Sequence, residues 1–430
     1  MGENNRTLII GIDGVPFNLM KDLSDKEVMP RFKELREDGE FTQMSSSIPE
    51  ISSVSWGSII TGRNPGEHGV YGFTDIIDGT YSLSFSNSHK LKTPPFWQKN
   101  NGKKSAILNV PSTYPAQKLN GVLVSGFVSP DLEKAVYPSS YLDKLKNMGY
   151  RVDIDSEKGH KSKMLLFKEL FETLEKRMEA YRYFWNEINW DTFMAVFTGS
   201  DRLEHFLWNA YENPDHEYHS KFLEFFSKID QAIGEMVDSL NEGDSLVVLS
   251  DHGMEGIKTN VNLNTYLVQE GFLKLGDSPN KRYNNIEEGS KAFALNPGRI
   301  YLNRKERFPR GCVNKDDEKR IIEELKESFK QMKWNGEKVV DEIYEKKDVY
   351  HGDLTDGAPD LVLMPNSGFN LMSGLSKEES FEESPLQGKH TQKDAFLLVK
   401  NGAGGKVIPK QPCVEDVVPI LEKLGLGGAG

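Results

Sequence analysis

Short apolar runs alternate with longer stretches of helical periodicity along most of the chain. Thr7–Asp13 (TLIIGID) reads as a buried strand that ends in an acid. Lys26–Asp38 has helical spacing, with Met29, Phe32 and Leu35 on one face and Gly39 as a stop. Ser105–Val110, Val122–Val124, Phe193–Phe197, Ser245–Ser250, Leu361–Met364 and Ala395–Val399 predict further strands. Met164–Asn189, rich in aromatics, together with Ser200–Tyr211, Tyr218–Leu240, Asp316–Met332 and Cys413–Leu424, predicts helices. Lys274–Lys291 and Asn366–Lys389 read as loops or insertions, and Gly425–Gly430 as a frayed tail. Strands that alternate with helices predict an α/β fold with a mostly parallel sheet covered on both faces. No linker divides the 430 residues, so a single domain is expected over 1–430.

Composition narrows the function. The formal charge of −12 argues against a nucleic-acid polymer as partner, since that needs a basic footprint. The apolar run in Thr7–Ile12 is too short for a signal or membrane segment, and no later run reaches spanning length without charges. The expectation is a soluble cytoplasmic protein without a membrane partner. Cys312 and Cys413 match no zinc or redox spacing.

Chemistry gathers at strand ends, where open α/β sheets bind ligands. Asp13 closes the first strand inside Gly11-Ile12-Asp13-Gly14. Asp201 and His205, four residues apart, share one face of a predicted helix. Asp251-His252 follows a buried strand, and carboxylate with imidazole suits zinc or manganese. A polar turn and a helix cap are the plainer readings of these two features. Ser52, Ser53 and Ser55 precede a short apolar helix that ends at Thr61-Gly62. A serine there is either an N-cap or a nucleophile whose ionisation the helix terminus favours. His390 and the remaining histidines say nothing alone.

Taken in order, these segments resemble the alkaline phosphatase superfamily, and most closely its type I phosphodiesterase/nucleotide pyrophosphatase branch with the related phosphohydrolases and phosphomutases. The likeness rests on the strand ending in Asp13 and on Ser52 before the phrase Thr61-Gly62-Arg63-Asn64-Pro65-Gly66-Glu67-His68-Gly69. It continues through Asp201 with His205, Asp251-His252-Gly253 and Gly388-Lys389-His390. Asn109–Pro115, Ser125-Gly126-Phe127 and Asp416–Leu421 add to it, so nearly the whole chain is covered. The resemblance implies a three-layer α/β/α sandwich with inserted cap segments, taken as 129–190 and 272–387. It implies two divalent metal ions, zinc first with manganese or iron as alternatives. One would be held by Asp201, His205 and His390, and the other by Asp13, Asp251 and His252, with Ser52 as nucleophile bridging toward the second. Ser53, Ser55 and Lys389 would contact substrate. Val54 and Trp56 occupy the positions where a sulfatase carries its modification signal, so that relative is not expected.

The implied activity is hydrolysis of a small phosphorylated substrate (a phosphodiester, nucleotide or phosphosugar) through a phosphorylated Ser52. A phosphomutase or phosphomonoesterase of the same superfamily is the alternative, and a non-catalytic ligand-binding member the third. Tyr183, Trp185 and Trp208 either line a substrate pocket or pack the fold.

Overall fold

The computed structural model describes residues 6–99, 102–278 and 280–426. The end of the expected frayed tail, 427–430, and the first five residues lie outside them. The central sheet has eight strands. Across it they run Glu40–Met44, Ala395–Lys400, Ser245–Leu249, Thr7–Ile12, Thr192–Phe197, Ser105–Val110, Gly121–Ser125 and Val136–Tyr137. The five from Ser245–Leu249 to Gly121–Ser125 are parallel, and antiparallel strands close both sides.

Both faces of this sheet are buried, which is why its strands read as continuous apolar runs. Leu8, Ile10 and Ile12 point into a large cluster shared with the helices Phe17–Asp25, Pro30–Asp38, Lys163–Glu187, Gly199–Glu212 and His219–Asp238. Ile9 faces the other side, where Trp56, Ile59 and Ile60 of the helix Ser52–Thr61 pack with the closing helix Val417–Lys423. The fold is thus a three-layer α/β/α sandwich with a mostly parallel central sheet.

Residues outside this sandwich build a second, smaller sheet. Ala292–Leu295, Arg299–Leu302, Leu361–Pro365 and Val340–Glu345 pair antiparallel and share their own apolar cluster with the helix Lys315–Gln331. Of the two expected inserts, 272–387 carries this sheet. The long helix within 129–190 packs into the core cluster of the main sheet.

Several sequence expectations need correction. Helical spacing over Lys26–Asp38 conceals a break: one helix ends at Asp25, Glu27 takes a left-handed φ of 58°, and the next helix starts at Pro30. Proline suits a first helical position, where its missing N–H has no partner to lose. Asn366–Lys389 is not wholly loop, since Phe369–Met372 pairs parallel with Thr259–Asn262. Cys413–Leu424 begins as a short 3₁₀ turn, Val414–Asp416.

Gly11 couples the sheet to the helix Ser52–Thr61. A Cβ there would lie 2.4 Å from Trp56 Cη2 and 3.0 Å from Val196. Gly11→Ala should therefore cost about 1–3 kcal/mol through overpacking, read as a lower denaturant midpoint at unchanged slope. An unchanged midpoint would mean that Trp56 shifts freely and that the helix is not held against this strand.

Candidate active site

Three neighbouring parallel strands deliver the acidic groups. Asp13 follows Thr7–Ile12, Asp201 lies in the first turn of the helix after Thr192–Phe197, and Asp251 follows Ser245–Leu249. All three are buried, as is His252. Asp13 is fixed from two sides: Ser200 Oγ donates to its carbonyl at 2.6 Å, and Trp56 Nε1 donates to its Oδ2 at 3.0 Å. Asp251 Oδ1 accepts from the Gly14 amide at 3.1 Å.

Three imidazoles complete the cluster, and each is oriented by a backbone carbonyl. His205 Nδ1 donates to Gly388 O at 2.7 Å, His252 Nδ1 to Gly253 O at 3.0 Å, and His390 Nδ1 to Glu50 O at 3.2 Å. In the neutral rings every Nε2 then carries a lone pair turned inward. His205 Nε2 and His390 Nε2 stand 2.9 Å apart, and Asp201 Oδ1 lies 3.3 and 3.2 Å from them. His252 Nε2 lies 3.4 Å from Asp251 Oδ2 and 3.9 Å from Asp13 Oδ1. The His252 and His390 rings stack at 3.6 Å.

Two facing lone pairs and three buried carboxylates crowd one another here. Burial, then the charges of Asp251 and Asp201, hold the Asp13 carboxyl well above the usual range. Burial likewise pushes Asp251 up to about 7. For Asp201 burial is outweighed by the charge and hydrogen bonds of His205 and His390, so its carboxyl falls well below the usual range. His205 is raised because the nearby Asp201 overcomes burial, whereas burial lowers His252 and His390 to about 4. Asp251 Oδ2 is buried without a hydrogen-bond partner among the described residues, and Asp201 Oδ1 has only the two imidazole Nε2 atoms beside it. This donor set of carboxylate oxygens and imidazole nitrogens fits divalent cations such as zinc or manganese. Asp13, Asp251 and His252 form one compact group, and Asp201, His252 and His390 a second that shares His252.

Ser52 opens the helix Ser52–Thr61, whose residues are all buried. Ile51 is its N-cap and no side chain caps it, so neither Ser52 nor Ser53 has the capping role. The Ser52 hydroxyl stands 3.0 Å from His252 Nε2. Ser53 Oγ is buried without a partner among the described residues. Ser55 Oγ is engaged by Ser46 and Ser47, each at 2.8 Å, and Ser46 also donates to the Asp251 carbonyl at 2.7 Å. These contacts tie the helix Ser52–Thr61 to the strand end that carries Asp251. His68, at the end of the short helix Pro65–His68, accepts from the Val70 amide and bonds Ser58 Oγ through Nε2 at 3.1 Å.

A cavity of about 370 Å³ opens beside His205 and His390. The sandwich contributes Glu50, Ile51, Phe73 and Lys389, and the second lobe contributes Leu363, Phe369 and Met372 among others. Lys389 Nζ bonds Glu255 at 2.9 Å. Glu50 escaped the sequence reading, because an acid two residues before a serine carries no distinguishing pattern. Tyr183, Trp185 and Trp208 do not line this cavity: Trp185 packs on Trp190 and Phe193, Tyr183 on Tyr141 and Phe184, and Trp208 on Tyr211.

Residues 7–393 match the family described as type I phosphodiesterase / nucleotide pyrophosphatase. The chain belongs to this family. It is accordingly a phosphoester hydrolase. Solved structures similar to it include phosphonoacetate hydrolase from Sinorhizobium meliloti 1021 in complex with phosphonoformate, at 16% identity and a TM-score of 0.64. That match covers 99% of this chain and 96% of the other. Murine ectonucleotide pyrophosphatase/phosphodiesterase 5 is similar at 14% identity and a TM-score of 0.57, covering 99% and 96%. An inactive variant of the murine protein in complex with AMP matches at 14% identity and a TM-score of 0.57, covering 98% and 94%. At these identities the likeness is one of fold. No curated protein matches the chain. Among the described residues no helix is long and apolar enough to cross a membrane.

Burial lowers the His68 imidazole to about 3. The unfolded chain, with an ordinary histidine, then binds the proton first, so the folded state loses stability as pH falls from about 6.5 toward 3. His68→Gln removes this loss. The stability gap between wild type and variant should narrow by about 1.4 kcal/mol per pH unit across that window and stay constant above pH 7. Urea titrations at several pH values read this directly. A pH-independent gap would place the imidazole proton elsewhere.

Proposed function

We propose that this chain cleaves phosphodiesters through a covalent Ser52 intermediate, using two divalent cations. Asp201, His205 and His390 would hold one, and Asp13, Asp251 and His252 the other. The observation that carries the reading is Ser52 Oγ, uncapped at the start of a buried helix and 3.0 Å from the inward Nε2 of His252. Bound there, the cations would lower the hydroxyl pKa and offset charge on the phosphoryl oxygens.

The chain's own residues do the rest. The free amides at the start of the helix Ser52–Thr61 favour negative charge on Ser52 and on a phosphoryl oxygen beside it. In the first transfer the Ser52 Oγ–P bond forms as the ester P–O bond breaks, and the departing alcohol leaves with a proton. In the second a water oxygen bonds phosphorus, the Ser52 Oγ–P bond breaks, and the serine regains its proton. Trp56 keeps the Asp13 carboxylate facing the site, and Ser46, Ser47 and Ser55 fix the helix relative to Asp251. Lys389 sits at the cavity wall with its ammonium on Glu255 at 2.9 Å. Zinc, manganese and iron all suit the donors.

Purified protein with added zinc or manganese should hydrolyse a bis-aryl phosphodiester, and Ser52→Ala should lower that rate roughly a thousandfold or more. Equal rates in the variant would sink the Ser52 assignment. An aryl monoester preferred over the diester would make the enzyme a phosphatase. The fold likeness to phosphonoacetate hydrolase makes phosphonoacetate the third substrate to include.

Metal loading has a readout apart from turnover. Zinc at a hundred times its dissociation constant should stabilise the fold by about 2.7 kcal/mol, seen as a higher melting temperature. Asp251→Asn retains an acceptor for the Gly14 amide but removes one of the crowded charges. In the presence of a chelator it should melt no lower than wild type, and zinc should raise its melting temperature less. An equal zinc response in the variant would remove Asp251 from the ligand set.

A further inference from the structure

The three buried carboxylates share one arrangement: a donor takes one oxygen, and the other oxygen faces an imidazole. Trp56 Nε1 donates to Asp13 Oδ2 at 3.0 Å, while Asp13 Oδ1 lies 3.9 Å from His252 Nε2. The Gly14 amide donates to Asp251 Oδ1 at 3.1 Å, while Asp251 Oδ2 lies 3.4 Å from the same nitrogen. Arg202 Nη1 donates to Asp201 Oδ2 at 3.2 Å, while Asp201 Oδ1 lies 3.3 and 3.2 Å from His205 Nε2 and His390 Nε2.

Arg202 differs from the other two donors because it is charged. An oxygen bonded to a guanidinium cannot also approach a divalent ion without bringing like charges together. The guanidinium is itself anchored: its Nε and Nη2 donate to Asp153 Oδ2 at 3.2 and 2.8 Å, and its Cζ lies 4.3 Å over the Phe127 ring. Its planar fork therefore fixes Asp201 Oδ2 relative to groups outside the cluster. Asp201 is left with Oδ1 alone for an ion shared with His205 and His390. One oxygen and two nitrogens make three protein donors, the number that catalytic zinc takes while keeping a fourth position open. Manganese favours more positions, filled by oxygens. Releasing Oδ2 would add an oxygen and serve manganese more than zinc.

We infer that Arg202 is a positioning residue: it holds Asp201 to one donor oxygen and so tilts the site of Asp201, His205 and His390 toward zinc and against manganese. The inference rests on the two-cation reading and concerns which ion that site takes.

The test is metal titration of the apo full chain by calorimetry, with zinc set against a competing chelator. Zinc binds more tightly than manganese to most such donor sets, so the change in the ratio is what matters. In Arg202→Met the ratio of manganese to zinc dissociation constants should fall at least about tenfold. Lost guanidinium charge strengthens both ions alike and cancels in the ratio. A merely structural role would weaken both together. An unchanged ratio, from either cause, overturns the inference. If Arg202→Met does not fold, Arg202→Gln replaces it, being polar and too short to reach Asp201 Oδ2 as Nη1 does. The same fall is expected, and an unchanged ratio again overturns the inference. Cobalt supplies a second readout, since its visible band is stronger when four-coordinate than when six-coordinate. The band should weaken in the variant, and an unchanged band counts against Arg202. Wild type that binds neither zinc nor manganese would remove the two-cation reading and the inference with it. Ions bound at an unchanged ratio would leave that reading standing.

Discussion

Three carboxylates, Asp13, Asp201 and Asp251, are buried together at the ends of three adjacent parallel strands, with the Arg202 guanidinium 3.2 Å from Asp201. Like charges packed this way raise one another's cost, which is why the Asp13 and Asp251 carboxyls are pushed upward while Asp201 is held down by imidazoles. Most of the surrounding structure keeps these groups from relaxing apart. Trp56 and Ser200 grip Asp13, the Gly14 amide grips Asp251, and three carbonyls turn three imidazoles inward. Gly11 is small because the indole that grips Asp13 lies against its strand. A site that resists its own repulsion in this way offers a donor set that fits a divalent cation.

Much of this was visible in the sequence, for a physical reason. In a parallel sheet the chemistry sits just past the strand ends, so a buried apolar run and its first polar residues are contiguous in the chain. Thr7–Asp13 and Ser245–His252 both have this form, and Asp201 with His205 has helical spacing. What could not be read depended on pairing across long separations. Glu40–Met44 (EFTQM) is a weak strand signal, and it becomes a strand because Ala395–Lys400 lies beside it. The second sheet likewise draws on segments spread from Ala292 to Pro365. The break at Lys26–Met29 was masked because its apolar residues keep a helical spacing while the backbone does not. Glu50 was invisible for another reason: its place at the cavity wall follows from the fold, and a sequence lists residues without their contacts.

His390 shows how topology completes a site that sequence leaves scattered. On its own it was one histidine among nine. In the fold Gly388–Thr391 pairs antiparallel with Gly253–Gly256, and Met254 stands opposite His390. The ladder therefore begins at the residue after His252 and brings the late histidine onto its ring. The same short strand bonds His205 through the Gly388 carbonyl and presents Lys389 to Glu255. One hairpin-like pairing thus joins both ends of the donor cluster to the cavity wall.

That pairing also separates chemistry from selection. The donors hang on the sandwich, whose strands cannot move without disturbing both apolar clusters. The cavity takes much of its wall from the second lobe, which has an apolar cluster of its own. Residues such as Phe369 and Met372 can change the shape of the cavity without touching an imidazole or a carboxylate of the cluster. Glu50 stands where the two meet: its carbonyl orients His390, while its side chain lines the cavity. A substitution there keeps the carbonyl that orients His390 and changes the side chain that lines the cavity.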